Sequence, residues 1–219
     1  MQIFLDTADL NEINYFLDIG IIDGVTTNPS LIAGKNYSKI AKEICSLMDG
    51  KPVSLEVIST DYKSMVEEAL QLKSWAKNVV IKLPLTADGL KACKHLSSKN
   101  IEVNVTLCFS AAQAILAAKA GATYVSVFVG RLDDIGHDSM EVVADVMWNY
   151  YHAQSDEAVA PKVIVASVRN PWHVVQSGKM GVNICTVPPK VLRQMIEHPL
   201  TDKGLEKFLA DWKKAEKVC

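Results

Sequence analysis

Two hydrophobic periods take turns along this chain. Short β-branched runs, in which neighbours point to opposite faces, give way to stretches with apolar residues three and four apart. Gln2 to Asp6 reads as a first strand, and Leu10, Ile13, Phe16 and Leu17 follow at helical spacing behind a cap at Thr7 or Asp9. Asp23 to Thr27 is a second strand, stopped at Asn28 because Pro29 bars helical geometry at the residue before it. Tyr37, Ile40, Ala41, Ile44, Leu47 and Met48 then make an apolar helix face that Gly50 closes. Val53 to Ile58 precedes a helix capped by Thr60, and Val79 to Leu83 a helix opened by Thr86. Ile101 to Leu107 runs into a capping box, Ser110-x-x-Gln113. Thr123 to Val129 leads to a polar loop, Gly130 to Ser139, and a helix bearing Val142, Val143, Val146, Met147 and Tyr150. Val163 to Ala166 and Val182 to Val187 complete the strands, with helices started at Asn170-Pro171 and Pro188-Pro189.

Eight strand-then-helix units predict an α/β protein with a parallel sheet, and eight units in 219 residues fit one closed (β/α)₈ barrel. An open doubly wound sheet is the competing arrangement, but no GxGxxG follows the first strand. The expected organisation is a single domain over residues 1–219, with 201–219 as an extra C-terminal helix and tail. Leu205, Phe208, Leu209 and Trp212 give that helix an apolar face, which must cover an end of the barrel or dock on a neighbour.

Composition narrows the function classes. A net charge of −2 leaves no basic stripe for nucleic acid or an anionic membrane, so phosphate recognition is expected to fall to a few arginines. No apolar run is long enough to span a bilayer and the N-terminus carries no leader pattern, so a soluble, unprocessed, cytoplasmic chain is expected. Cys45, Cys93, Cys108, Cys185 and Cys219 are scattered without CxxC spacing and read as free thiols. The histidines lack HExxH spacing, so no metal is expected, and His137 and His173 read as ordinary surface or helix-start residues.

In a barrel of this kind the chemistry sits where the strands end. Those ends carry Asp6, Asn28, Glu56, Lys82, Asn104 with Thr106, Ser126 with Arg131, Ser167 with Arg169, and Thr186. Taken singly, Lys82 could snorkel, Asp6 and Ser167 could cap helices, and Arg131 could pair with Asp133 or Asp134. Taken together, an amine, carboxylates, hydroxyls and two guanidiniums at one end of one barrel point to a site. A neutral Lys82 can attack a ketone to form a Schiff base, whose imine acts as an electron sink for breaking the bond between the third and fourth carbons of a ketose. Asp6 suits the proton transfers, and Glu56 with Thr106 can hold a water for imine formation and release. Arg131 and Arg169 offer forks matched to a phosphate, so the expected substrate is a sugar phosphate, with no cofactor.

Leu5-Asp6-Thr7-Ala8, Gly24-Val25-Thr26-Thr27-Asn28-Pro29-Ser30, Val80-Ile81-Lys82-Leu83-Pro84, Asn104-Val105-Thr106-Leu107 and Val127-Phe128-Val129-Gly130-Arg131-Leu132-Asp133 resemble the signature segments of transaldolase. The length resembles the short branch that also contains fructose-6-phosphate aldolase. The resemblance implies Lys82, Asp6, Glu56 and Thr106 as catalytic residues. It implies Thr26, Asn28, Asn104, Ser126, Phe128, Arg131, Ser167 and Arg169 as substrate-binding. In the aldolases the residue matching Glu56 is typically glutamine and that matching Phe128 typically a tyrosine that protonates the enamine. Glu56, Phe128, Asn104 and Ser126 here resemble true transaldolases. The implied reaction, in the pentose phosphate pathway, moves a dihydroxyacetone unit from sedoheptulose 7-phosphate or fructose 6-phosphate to glyceraldehyde 3-phosphate or erythrose 4-phosphate. The alternatives are fructose-6-phosphate aldolase and an inactive sugar-phosphate-binding barrel. The branch also implies a homo-oligomer, a decamer or pentamer, with the C-terminal helix packing across subunits or else capping its own barrel.

Overall fold

The β-branched runs pair in chain order into a closed, all-parallel barrel, β1-β2-β3-β4-β5-β6-β7-β8, with β8 returning to β1. The computed structural model describes residues 1–32, 36–152 and 160–216, so Cys219 lies outside the described residues. The strands are β1 (Gln2–Asp6), β2 (Gly24–Thr26), β3 (Val53–Glu56), β4 (Val79–Pro84), β5 (Val103–Cys108), β6 (Tyr124–Phe128), β7 (Lys162–Ala166) and β8 (Ile184–Val187). Around them lie α1 (Leu10–Ile19), α3 (Tyr37–Leu47), α4 (Tyr62–Lys73), α5 (Ala87–Ser97), α6 (Ala111–Lys119), α8 (Ser139–His152), α9 (Pro171–Lys179) and α10 (Pro189–Ile196). Two short helices, α2 (Pro29–Ile32) and α7 (Val129–Asp134), sit in the loops after β2 and β6, and α11 (Pro199–Glu216) ends the chain.

The pleat divides each strand between two cores. Leu5, Val25, Val53, Leu55, Ile81, Val105, Val125, Val165 and Cys185 face outward and are buried against the helices in one continuous cluster. The alternate positions face the barrel axis. At the N-terminal end Phe4, Val80, Tyr124, Ile164 and Ile184 form a separate apolar cluster that plugs the interior. Gly24 makes room for this plug, since a Cβ there would lie 2.6 Å from the Phe4 ring. Two residues further along, the inward positions turn polar on most strands, with Asp6 on β1, Thr26 on β2, Glu56 on β3, Lys82 on β4, Ser126 on β6 and Thr186 on β8, while β7 keeps the apolar Ala166.

Local details depart from the sequence pattern where side chains compete for the same backbone group. Asp9, rather than Thr7, caps α1, and Asp61, rather than Thr60, caps α4 by accepting from the Ser64 amide. Ser110 caps α6 as expected, but Gln113 reaches back to the Phe109 amide, one residue beyond a standard capping box. The expected polar loop after β6 begins instead with α7, whose Val129 and Leu132 are buried. Of the two places expected for the last helix, an end of its own barrel is not the one it takes, since α11 buries none of its residues. Leu205, Phe208, Leu209 and Trp212 stand between 56% and 70% exposed. No helix among the described residues is long and apolar enough to cross a membrane.

Candidate active site

Lys82 extends inward from β4 and is only 5% exposed, so its charge must be matched within the barrel. Its Nζ lies 2.8 Å from Glu56 Oε2 and donates to the Thr27 carbonyl at 3.2 Å. Sheet register explains the pairing, because Glu56 and Lys82 are direct partners across β3 and β4.

Asp6 faces the same space from β1. The Thr26 hydroxyl donates to Asp6 Oδ1 at 2.8 Å. Thr26 Oγ1 is also 2.6 Å from Thr186 Oγ1, and since the Thr26 proton goes to Asp6, Thr186 is the donor in that pair. Burial pushes the Asp6 carboxyl above its ordinary range; Lys82 and the Thr26 hydroxyl pull it back, and Glu56 pushes it up again. Asp6 is therefore a carboxyl that can hold a proton more readily than one in water. Thr186 joins this chain of hydrogen bonds, although the family resemblance does not include it among the catalytic or substrate-binding residues. Its signal was its position as the inward residue at the end of the last strand.

Below the rim, the Ser126 hydroxyl donates to Asn104 Oδ1 at 2.8 Å, and Asn104 Nδ2 donates to Ser54 Oγ at 3.3 Å. This ties β3, β5 and β6 together beneath the amine. Thr106 is fully buried on the same side of β5, and its hydroxyl has no hydrogen-bond partner among the described residues. A buried hydroxyl of this kind is poised for a bridging water or ligand group.

A cavity of about 280 Å³ opens above these groups. Asp6, Thr26, Asn28, Lys82, Ser126, Phe128, Arg131, Ser167, Arg169 and Thr186 line it, with Ala166, Val168 and Pro188. Glu56, Asn104 and Thr106 do not line it and stand behind the lining. At the mouth the two arginines differ. Arg169 holds Asp134 Oδ2 at 2.8 Å, whereas the Arg131 guanidinium lies over the Phe128 ring at 5.1 Å. The sequence suggested Asp133 or Asp134 as partners for Arg131; the structure gives Asp134 to Arg169. Phe128 is steadied by an edge contact to Phe109, with centroids 5.7 Å apart. Ser167 carries a left-handed backbone, φ +59°, and Leu107 at the end of β5 another, φ +58°. Such angles persist in non-glycine residues only where surrounding contacts enforce them.

His173 departs from the sequence reading. It stands near the start of α9 as expected, but it is 2% exposed rather than on the surface, with Nε2 2.8 Å from Asp133 Oδ2. Among the described residues no three His, Cys, Asp or Glu side chains gather closely enough to hold a metal ion.

Comparison with known proteins places this geometry. The family described as Transaldolase/Fructose-6-phosphate aldolase matches residues 3–219. A probable transaldolase of Clostridioides difficile is 55% identical over 217 residues, covering 98% of each chain. A probable transaldolase of Methanococcus maripaludis is 54% identical over 214 residues, covering 97% of each. Among solved structures, thiamine phosphate pyrophosphorylase from Pyrococcus furiosus superposes with a TM-score of 0.63 over 85% of each chain at 13% identity, a likeness of fold alone. With a match that runs from the first strand to the last helix, the chain belongs to the transaldolase/fructose-6-phosphate aldolase family.

Proposed function

We propose that this protein is a transaldolase that works through a Schiff base on Lys82, and that it transfers a three-carbon ketol unit between sugar phosphates. The observation that carries the proposal is the buried amine of Lys82 between a contacting carboxylate, Glu56 at 2.8 Å, and a second carboxyl, Asp6, pushed toward its protonated form. An amine with a carboxylate against it, and a second carboxyl that holds a proton more readily than one in water, are what imine formation and carbon–carbon cleavage need together.

In the proposed sequence the Lys82 proton passes toward Glu56, and the free amine attacks the ketone carbonyl of the donor. A water held between Glu56 and the Thr106 hydroxyl carries protons as the carbinolamine loses water to give the protonated imine. Asp6, as carboxylate, takes the proton from the hydroxyl on the fourth carbon. The bond between the third and fourth carbons then breaks, its electrons pass to the imine nitrogen, and an aldose phosphate leaves. The remaining enamine attacks the aldehyde of the acceptor, whose oxygen recovers the proton from Asp6. Hydrolysis of the new imine frees Lys82. Asn28, Ser126 and Ser167, which line the cavity, hold the hydroxyls of the chain, Asn104 steadies Ser126 from behind, and Arg131 and Arg169 receive the phosphate.

Transfer is favoured over simple cleavage by Phe128. Its ring lines the cavity and has no proton to give, so the enamine waits for an acceptor instead of being protonated in place. Borohydride reduction in the presence of fructose 6-phosphate is expected to leave a stable adduct on Lys82, and a folded protein without that adduct would point to an inactive sugar-phosphate-binding barrel. Release of glyceraldehyde 3-phosphate is expected to depend on erythrose 4-phosphate. An equal rate without acceptor would make the protein a fructose-6-phosphate aldolase.

The assembly and location belong to the same reading. The exposed apolar face of α11 supports a homo-oligomer, a decamer or pentamer, in which this helix packs on a neighbour. A cytoplasmic setting fits sugar-phosphate substrates and four free, buried thiols, Cys45, Cys93, Cys108 and Cys185.

A further inference from the structure

Two loops carry the arginines, and they are joined by more than the arginines themselves. The loop after β6 forms α7 with Arg131, Asp133 and Asp134; the loop after β7 runs through Ser167, Val168 and Arg169 into α9. Gly130 N–H donates to the Ser167 carbonyl at 3.1 Å. A Cβ at Gly130 would stand 2.2 Å from that carbonyl oxygen and 2.5 Å from Arg169 Nε, so the two loops touch backbone to backbone. Beneath this contact sits His173. Its Nδ1 accepts the Arg169 backbone N–H at 3.3 Å, which puts the ring proton on Nε2, where it donates to Asp133 Oδ2 at 2.8 Å. The imidazole thus links the backbone of one arginine to the helix that carries the other.

A buried polar ring needs its partners, and an apolar residue could fill the same space at lower desolvation cost. What the imidazole adds is a fixed spacing between the two loops. We propose that His173, held by Asp133, is a positioning residue for phosphate recognition: it sets the separation and direction of Arg131 and Arg169 without touching substrate. The inference rests on the reading of these arginines as the phosphate site.

The test compares steady-state kinetics of the full-length enzyme on fructose 6-phosphate and on unphosphorylated fructose, with inorganic phosphate as a competitive probe. Asp133→Ala removes the acceptor of the imidazole proton at a half-exposed position, where the fold is expected to survive. His173→Gln keeps a donor toward Asp133 and loses the acceptor for Arg169. Each is expected to raise KM for fructose 6-phosphate and Ki for inorganic phosphate about tenfold, the scale of one lost hydrogen bond. Turnover at saturation, and kcat/KM for fructose, are expected to stay within about twofold of the parent. Asp133→Asn, which still accepts from Nε2, is expected to keep most of the parent affinity. An equal loss on both sugars, or an unchanged KM and Ki in Asp133→Ala, would overturn the positioning role. Arg131→Ala and Arg169→Ala separate the two layers of argument. If they weaken fructose 6-phosphate selectively while Asp133→Ala does not, only the His173 inference fails; if they do not discriminate between the two sugars, the phosphate site itself has been misassigned.

Discussion

At the scale of single residues, Asp6 shows how a site trades stability for chemistry. Its carboxyl is raised above the ordinary 3.8, chiefly by burial. In acid both folded and unfolded chains hold the proton. As pH rises the unfolded chain releases it first, so folding loses stability until the folded carboxyl has also ionised. Asp6→Asn removes this loss and keeps an oxygen for the Thr26 hydroxyl. The variant is expected to melt above the parent at neutral pH, with the difference shrinking toward zero near pH 4, measured by thermal denaturation across that range. Its turnover is expected to fall by about 10²–10⁴-fold, while borohydride still traps an adduct on Lys82. Thr106→Val tests the water proposed to bridge Thr106 and Glu56. Removing a buried, unpartnered hydroxyl at constant shape is expected to leave stability equal or raise it by about 1 kcal/mol, yet slow imine formation in single-turnover experiments. A purely structural threonine would show the first effect without the second.

At the scale of elements, what could be read from the sequence was whatever depends on neighbours along the chain. Eight alternating strands and helices, the inward face of Asn104 and Thr106, and the stop at Pro29 all follow from period and local sterics. Lys82, Asp6 and both arginines were legible because strand ends in a barrel share one mouth. The helix α7 was not, since Arg131, Asp133 and Asp134 dominate its composition while Val129 and Leu132 are held by tertiary packing. His173 was missed for the same reason: its partners are a carboxylate 40 residues back and a backbone amide 4 residues back, and no spacing rule joins them. Gly130→Ala is the test of the α7 joint. A methyl 2.2 Å from the Ser167 carbonyl must push backbone rather than a flexible side chain. A loss of about 1–3 kcal/mol in chemical denaturation is expected, with a raised KM for phosphorylated donors.

At the scale of the whole molecule, α11 is an amphipathic helix whose four large apolar side chains, Leu205, Phe208, Leu209 and Trp212, stand in solvent, and they are the surface on which the proposed homo-oligomer would assemble. Replacing Phe208 and Trp212 together by aspartate is expected to convert the assembly to monomers in light scattering while the barrel stays folded by circular dichroism. A monomeric parent protein would refute the assembly. The other end of the barrel carries a different consequence. Phe4, Val80, Tyr124, Ile164 and Ile184 seal the interior from below, so traffic is confined to the rim. In the proposed reaction the first aldose phosphate leaves by the door through which the second enters, and both seek the two arginines proposed to hold phosphate. Initial-rate plots against donor at several acceptor concentrations are therefore expected to run parallel, and each aldose phosphate is expected to compete with the other for the waiting enamine.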